Sequence, residues 1–185
     1  VSELQLPTRR EALSLLAKAG CSPNVVGHCE SVSALAVKIA KACEEKGLKV
    51  NVSLVEISAL LHDIGRSKTH SVDHAMIGGE IARSLGLPKS VIFVIERHAG
   101  GGISKEEAKK LGWPARNYLP KTLEEKIVCY ADKRVEGLRI VPIEQTIQAY
   151  AAVLGKNHSA IKRIWQLHRE ITSIAGNLDA DSDLT

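Results

Sequence analysis

Aromatic side chains are scarce in this chain, only 3% of residues, with a single Phe, two Trp and three Tyr. The core must therefore be packed from Leu, Ile, Val and Ala, and binding of single-stranded nucleic acid by stacking bases on several exposed rings is disfavoured. Cysteine is nearly as sparse. Cys21, Cys29, Cys43 and Cys129 lie far apart with no CxxC pair, which argues against a disulfide framework or a thiolate zinc site and suits reduced, buried thiols. With no signal-peptide pattern over Val1 to Lys18, the expected location is cytoplasmic. No apolar run approaches the ~18–20 residues that span a bilayer. Internal repeats, low-complexity tracts and strand-like alternation are also missing.

What is present is an ordinary globular balance, 44% hydrophobic and 25% charged over 185 residues, enough for one domain with its own core. The net charge of +4 suits an anionic small molecule and does not by itself call for nucleic acid.

Helical spacing dominates the chain. Thr8 with Glu11 forms a capping-box pattern ahead of Ala12, Leu15, Leu16 and Ala19, and Gly20 closes that helix. Ser22-Pro23 starts a second, with Val25, His28, Val32, Leu35 and Ile39 on one stripe. Asn51 caps a third, whose apolar run from Ile57 to Ile64 is broken by Ser58 and the doublet His62-Asp63 and is ended by Gly65. Ser71 to Leu85 carries His74 on a helical stripe, and Pro88 opens a helix bearing Val91, Val94, Ile95 and His98. Gly100-Gly101-Gly102 is a loop, Ser104 with Glu107 caps a short helix ending near Gly112, and the chain to Pro120 reads as a surface excursion. Thr122 with Glu125 opens the helix of Val128, Asp132 and Val135; Pro142 to Leu154 and Asn157 to Ala175 close the fold. The expectation is all-α, a single bundle of eight or nine helices over residues 1–176 with a frayed acidic tail over 177–185.

Several of these inward stripes carry a histidine or aspartate: His28, His62-Asp63, His74, His98 and Asp132. Taken singly each has a bland reading. A lone buried His is usually hydrogen-bonded in a core, Asp132 would suit a buried Arg, and the doublet would suit a helix C-terminus. Together they would cost several kcal/mol each unless ion pairs or a bound cation compensate them, and imidazole with carboxylate is a ligand set for a divalent metal. His70, His158 and His168 fall outside the pattern and carry no assigned role.

The ordered set His28, His62-Asp63-Ile64-Gly65, His74, His98 and Asp132 resembles the HD superfamily of metal-dependent phosphohydrolases, over about Asn24 to Gly137. The resemblance implies that His28, His62, Asp63 and Asp132 bind a first divalent metal, and that in dinuclear members Asp63 bridges to a second held with His74 and His98. Fe, Mn, Co, Ni, Zn and Mg all remain open. Such a metal supplies hydroxide at neutral pH for in-line attack on phosphorus, and a second ~3.5–4 Å away polarises the phosphoryl oxygens. Asp63, Arg66 and Lys133 then become catalytic candidates. Arg66 is either a phosphate clamp or a solvated Arg at a helix end, and of Lys133 and Arg134 one is expected to reach substrate while the other faces solvent.

The stretch Glu96 to Ser104, with Ala131-Asp132 and Arg139, is similar to HD-type hydrolases of dinucleoside tetraphosphates, which implies substrate contacts from Arg66, Gly100, Gly101, Lys133 and Arg139. Ala99 and Gly100 depart from the His-Thr-x-Gly segment of those enzymes. Ala99 also stands where the cyclic-dinucleotide branch has a further histidine. The expected activity is hydrolysis of a phosphoester or phosphoanhydride of a nucleotide, as a nucleotidase, phosphodiesterase or dinucleoside polyphosphate hydrolase. The alternative is a nucleotide- or RNA-binding regulatory module that keeps a structural metal.

Overall fold

The computed structural model describes residues 5–176, and the expected acidic tail lies outside the described residues. Nine α-helices are found among them, α1 (Arg9–Ala19), α2 (Pro23–Glu45), α3 (Val52–Leu61), α4 (His74–Ser84), α5 (Lys89–Arg97), α6 (Lys105–Lys110), α7 (Leu123–Lys133), α8 (Ile143–Leu154) and α9 (Ser159–Ala175). The all-helical expectation holds, and its caps sit where the sequence places them. Thr8, Ser22, Asn51, Ser104 and Thr122 each accept a hydrogen bond from the first turn of the helix they precede, satisfying donors that have no partner within the helix.

Two larger apolar clusters form the core. One joins α2, α7 and α9 through Ile39, Ile127, Val128, Ile164 and Ile171. The other joins α1, α3 and α5 through Leu16, Leu60, Leu61, Val91 and Ile95. Helix α2 contributes to both, so the ends of α3, α5 and α7 meet where the two clusters adjoin.

Three local expectations are corrected. Helix α3 ends at Leu61, and Ile64–Ser67 form a short 3-10 turn after the His62-Asp63 doublet. Gly65 does not serve as a left-handed helix stop, for it is not among the positive-φ glycines. Its role is close approach: a Cβ there would lie 1.9 Å from the His74 carbonyl oxygen and 2.7 Å from the Gly78 nitrogen. Only glycine lets α4 lie against the turn. Helix α4 correspondingly begins at His74 instead of Ser71.

The stretch from Trp113 to Pro120 is no plain surface excursion. Trp113 and Tyr118 are buried and join Ala75, Ile103 and Ala108 in a third small cluster. Trp113 Nε1 donates to Asp73 at 2.7 Å, and Ile103 and Tyr118 exchange backbone hydrogen bonds at 3.1 and 2.8 Å. A hairpin of two-residue strands, β1 (Val135–Glu136) and β2 (Arg139–Ile140), pairs Val135 with Ile140 and Glu136 with Arg139. Strands this short carry no readable alternation, and Gly137 at φ +60° supplies the left-handed residue that a two-residue turn needs.

Glu107 ties the 100–120 segment to α9. It caps α6 from within, accepts from Arg163 Nη2 at 2.9 and 3.0 Å, and accepts from the Ser159 hydroxyl. Burial works to raise its carboxyl, but Ser159, the Ser104 amide and Arg163 outweigh it and pull the value from 4.5 to about 2. The folded value is depressed, so the stabilisation is complete above about pH 4.5 and lost as pH falls towards 2. Glu107→Gln is expected to cost about 1.5–3 kcal/mol near neutrality, or about 2–4 °C of melting temperature per kcal/mol. Thermal melts of the two proteins from neutral pH downward should converge in acid; a gap that persists there would refute the assignment.

Candidate metal centre

Each of the histidines is fixed by its own backbone surroundings. His62 and His98 each follow the last residue of a helix, His74 is the first residue of α4, and His28 lies near the start of α2. The Nδ1 atoms of His62, His74 and His98 face the carbonyl oxygens three residues earlier, Ala59 at 2.6 Å, Ser71 at 2.7 Å and Ile95 at 2.7 Å. His28 Nδ1 faces the Gly137 carbonyl at 3.1 Å, across to the hairpin. A carbonyl oxygen can only accept, so in all four rings Nδ1 carries the proton. A neutral ring held this way turns an Nε2 lone pair to the centre, the arrangement that orients metal-binding histidines.

The two carboxylates complete the set. Asp63 Oδ1 lies 3.2 Å from His74 Nε2 and 3.4 Å from His98 Nε2, while Oδ2 lies 3.7 Å from His62 Nε2 and 3.9 Å from His28 Nε2. One oxygen thus serves each half of the cluster. Asp132, in the last turn of α7, puts Oδ1 3.1 Å from His28 Nε2 and 3.4 Å from His62 Nε2. Ligand atoms of His28, His62 and Asp132 all lie within 4.8 Å of one another, as do those of His62, Asp63 and His98.

Three observations fit a divalent cation here. His62 Nε2 and Asp63 Oδ1 are buried with no hydrogen-bond partner. His74 Nε2 and His98 Nε2 stand 3.0 Å apart, two lone pairs facing each other once both Nδ1 atoms are protonated. The donors are nitrogen and oxygen with no thiolate among them, a set for a borderline or hard divalent ion.

Charges in the centre are strongly coupled. Burial works to raise Asp63, but His62 beside it, then His74 and His98, hold it well below the usual carboxylate range. Asp132 is likewise held low against burial, first by Lys133 and then by His28 and His62. Burial lowers His98 to about 4, so it is neutral and able to ligate at pH 7. For His62 the opposing carboxylates outweigh burial and raise the ring well above 6.5.

Arg66 donates from Nε to Asp63 at 2.6 Å and from Nη1 to the His70 carbonyl at 3.4 Å. Lys133 and Arg134 are both buried, so neither is the expected solvent-facing member of the pair. Lys133 Nζ pairs with Asp132 and donates to the His98 carbonyl at 3.3 Å. Arg134 turns into the structure, donating to Val141 O at 2.7 Å and Tyr130 Oη at 2.9 Å.

A cavity of about 600 Å³ opens beside this centre, with Arg66, His74, His98, Gly100, Asp132 and Lys133 in its lining. Gly101 faces away: a Cβ there would meet Ile164 and Arg163 of α9 at 3.2 and 3.3 Å. Arg139 is exposed on β2 and is not part of the lining. Tyr150 and Val153 of α8, His158 and Arg163 do line it, and sequence reasoning missed them. The available signal was in α8, where Ala149 and Val153 share a face apart from the buried Ile143 and Ile147.

Imidazole and carboxylate groups turned inward from helix ends define a helical metal-binding domain. The chain belongs to the HD domain family of metal-dependent phosphohydrolases, whose family model matches residues 25–135, the span from His28 to Asp132. It is 49% identical over 164 residues to an uncharacterized protein of Methanocaldococcus jannaschii, covering 89% of this chain and 96% of that one. It is 38% identical to a tRNA (cytidine(56)-2'-O)-methyltransferase of Picrophilus torridus, covering 92% of this chain but 48% of the relative. Similarity to ribonuclease Y of Chloroflexus aurantiacus, 32% identity, covers 83% of this chain and 24% of that protein. The chain thus spans about half of the methyltransferase and about a quarter of the ribonuclease. Among solved structures, the HD domain of L. monocytogenes phosphodiesterase PgpH, in complex with cyclic-di-AMP, matches with TM-score 0.51 and 19% identity over 89% of this chain and 96% of that one. That likeness shows the shared fold. No helix among the described residues is long and apolar enough to cross a membrane.

Because the carboxylates beside it raise the His62 ring above its ordinary 6.5, a proton and a cation compete for its Nε2. His98, lowered to about 4, contributes none above that pH. Loading Mn²⁺ or Zn²⁺ at pH 7 is expected to release protons, with affinity rising as pH increases. Calorimetry in buffers of different ionisation enthalpy measures this; uptake without proton release would contradict it.

Proposed function

We propose that the chain hydrolyses a phosphoester or phosphoanhydride of a nucleotide, using one or two divalent cations held by His28, His62, Asp63 and Asp132 and by Asp63, His74 and His98. The observation that carries this reading is the common orientation of four imidazoles. Each has its Nδ1 on a backbone carbonyl and its Nε2 turned towards carboxylate oxygens beside a cavity. A divalent ion in such a site acidifies water and polarises phosphoryl oxygens.

The chain's own groups supply the rest. Asp63 and Asp132, both ionised, balance the cations. Arg66 sits at the cavity with its guanidinium end beside the His70 carbonyl, where it can hold a phosphate through paired hydrogen bonds. Burial works against the Lys133 charge, but the Asp132 carboxylate more than restores it, so an ammonium stands at the cavity to favour negative charge on the phosphoryl oxygens. Neither Gly101 nor Arg139 is placed to share these roles; Gly100 remains a backbone contact.

The relatives named tRNA methyltransferase and ribonuclease Y favour a second reading, in which the bound phosphate belongs to RNA and the domain cleaves or merely binds it around a structural metal. Binding driven by RNA phosphates weakens steeply with salt, so titration at two salt concentrations separates it from a small-molecule site.

Metal-loaded protein should hydrolyse at least one member of a panel of nucleoside mono- to tetraphosphates, cyclic nucleotides, dinucleoside polyphosphates and short RNAs. Arg66→Ala should lower kcat/KM on that substrate by about 10²–10³-fold when assayed at saturating metal, since Arg66 also holds Asp63 and its loss should weaken metal affinity by about 10–100-fold. A metal-loaded protein inert across the whole panel would sink the hydrolase reading.

A further inference from the structure

The cavity beside the metal centre has a basic lining. Four cations, Arg66, Lys110, Lys133 and Arg163, border it against two carboxylates, Asp132 and Glu107. Three of the four have settled surroundings. Arg66 is paired with Asp63 and Lys133 with Asp132, both carboxylates of the metal centre, and Lys110 is exposed in the last turn of α6, where solvent screens it. Arg163 of α9 differs. Its guanidinium carries five N–H groups in a fixed fork, yet every hydrogen bond it makes among the described residues leaves from one nitrogen. Nη2 donates to both oxygens of Glu107, at 3.0 and 2.9 Å. Nε is buried with no acceptor, and Nη1 has no acceptor among the described residues.

This is not the two-nitrogen grip by which arginine holds a carboxylate, and a buried N–H left without an acceptor is costly and rare. Glu107 is already crowded with donors, for its oxygens also accept from the Ser104 amide at 2.7 Å and from the Ser159 hydroxyl. The Arg163 side chain keeps 19% of its surface exposed, so the guanidinium is neither sealed in the core nor loose in solvent. The backbone sets it near the metal centre. A Cβ on Gly101, three residues after His98, would lie 3.3 Å from the Arg163 Cβ and 3.3 Å from the Ile164 nitrogen, so α9 leans on the turn that follows that histidine. His158, which caps α9, borders the same cavity. Its Nδ1 accepts from the Ala160 amide at 3.2 Å, which leaves the proton of the neutral ring on Nε2, a further donor with no partner among the described residues.

Resting on the phosphohydrolase reading above, we propose that Arg163 is a substrate-binding residue. Its uncommitted N–H groups take phosphate oxygens of the substrate, while Glu107 keeps the guanidinium at the cavity through Nη2. A phosphate supplies what Glu107 does not, oxygens spaced to accept from two nitrogens of the fork at once. The ion pair with Glu107 is then the means of holding a cationic donor at the cavity, and the incomplete hydrogen bonding of Arg163 is the capacity it keeps for its ligand.

The test is equilibrium binding of inorganic phosphate and of imidodiphosphate, a pyrophosphate analogue that resists hydrolysis, to the metal-loaded full chain after excess ion is dialysed away. Arg163→Gln and Glu107→Gln break the same ion pair, but only the first removes the guanidinium. Arg163→Gln should weaken binding of at least one probe by about tenfold or more with metal content unchanged, whereas Glu107→Gln should bind both as tightly as the wild type or more tightly. Should Arg163→Gln fail to fold, the double variant Glu107→Gln, Arg163→Gln leaves neither charge unpaired and takes its place with the same expected loss. Undiminished binding without the guanidinium, equal losses in the Arg163 and Glu107 variants, or a wild type that binds neither probe would overturn the assignment. Arg163-dependent binding in a protein that hydrolyses nothing would support it and sink only the hydrolase reading, whereas hydrolysis by Arg163→Gln at the wild-type kcat/KM would do the reverse.

Discussion

The Asp63 carboxylate is the point on which the rest of this structure depends. It is 2% exposed, one oxygen facing His74 and His98 and the other facing His28, His62 and the Arg66 guanidinium. A buried carboxylate needs compensating charge, and the four imidazoles around it bring lone pairs when neutral. Arg66 compensates one side only. The remainder must come from a proton on His62 or from a cation, and those two compete for the same space.

This constraint explains details of the fold that helix packing alone would not demand. Helix α3 stops immediately before the doublet, which frees His62 and Asp63 from helical continuation. The 3-10 turn that follows is pressed so closely on the α4 backbone that no side chain fits at Gly65. The contact sets the first residue of α4, His74, against Asp63. The hairpin after α7 then reaches back to hold His28 through the Gly137 carbonyl, so α2 and α7 are joined at the centre by more than apolar packing.

Most of the helices, and the six polar residues that the structure brings together, were legible in the sequence, because capping residues and helical stripes are local signals and these six are polar groups out of place on apolar faces. What escaped has physical reasons. Gly65 looked like a helix stop because its actual constraint, the backbone of α4, lies elsewhere in the chain. Trp113 and Tyr118 looked exposed because the small core that buries them is assembled from separate segments. The hairpin is too short for a pattern. Lys133 and Arg134 were not separable by sequence, since both turn inward to partners that only the tertiary structure supplies. Tyr150, Val153 and Arg163 line the cavity because α8 and α9 fold back over it. Arg139 was linked to the site by resemblance, and it lies exposed on the short strand β2, outside the cavity lining.

Central to this reading is the proposal that His28, His62, Asp63, His74, His98 and Asp132 form a single cation-binding centre with Asp63 shared between its halves. Elemental analysis of anaerobically purified wild type, beside a His74→Ala, His98→Ala double variant, tests it most directly. A shared centre should hold about two divalent ions per chain in the wild type and about one in the variant, as expected for a dinuclear site losing one half. No metal in the wild type, even after divalent ions are added back, or a content unchanged by the double substitution, would contradict it.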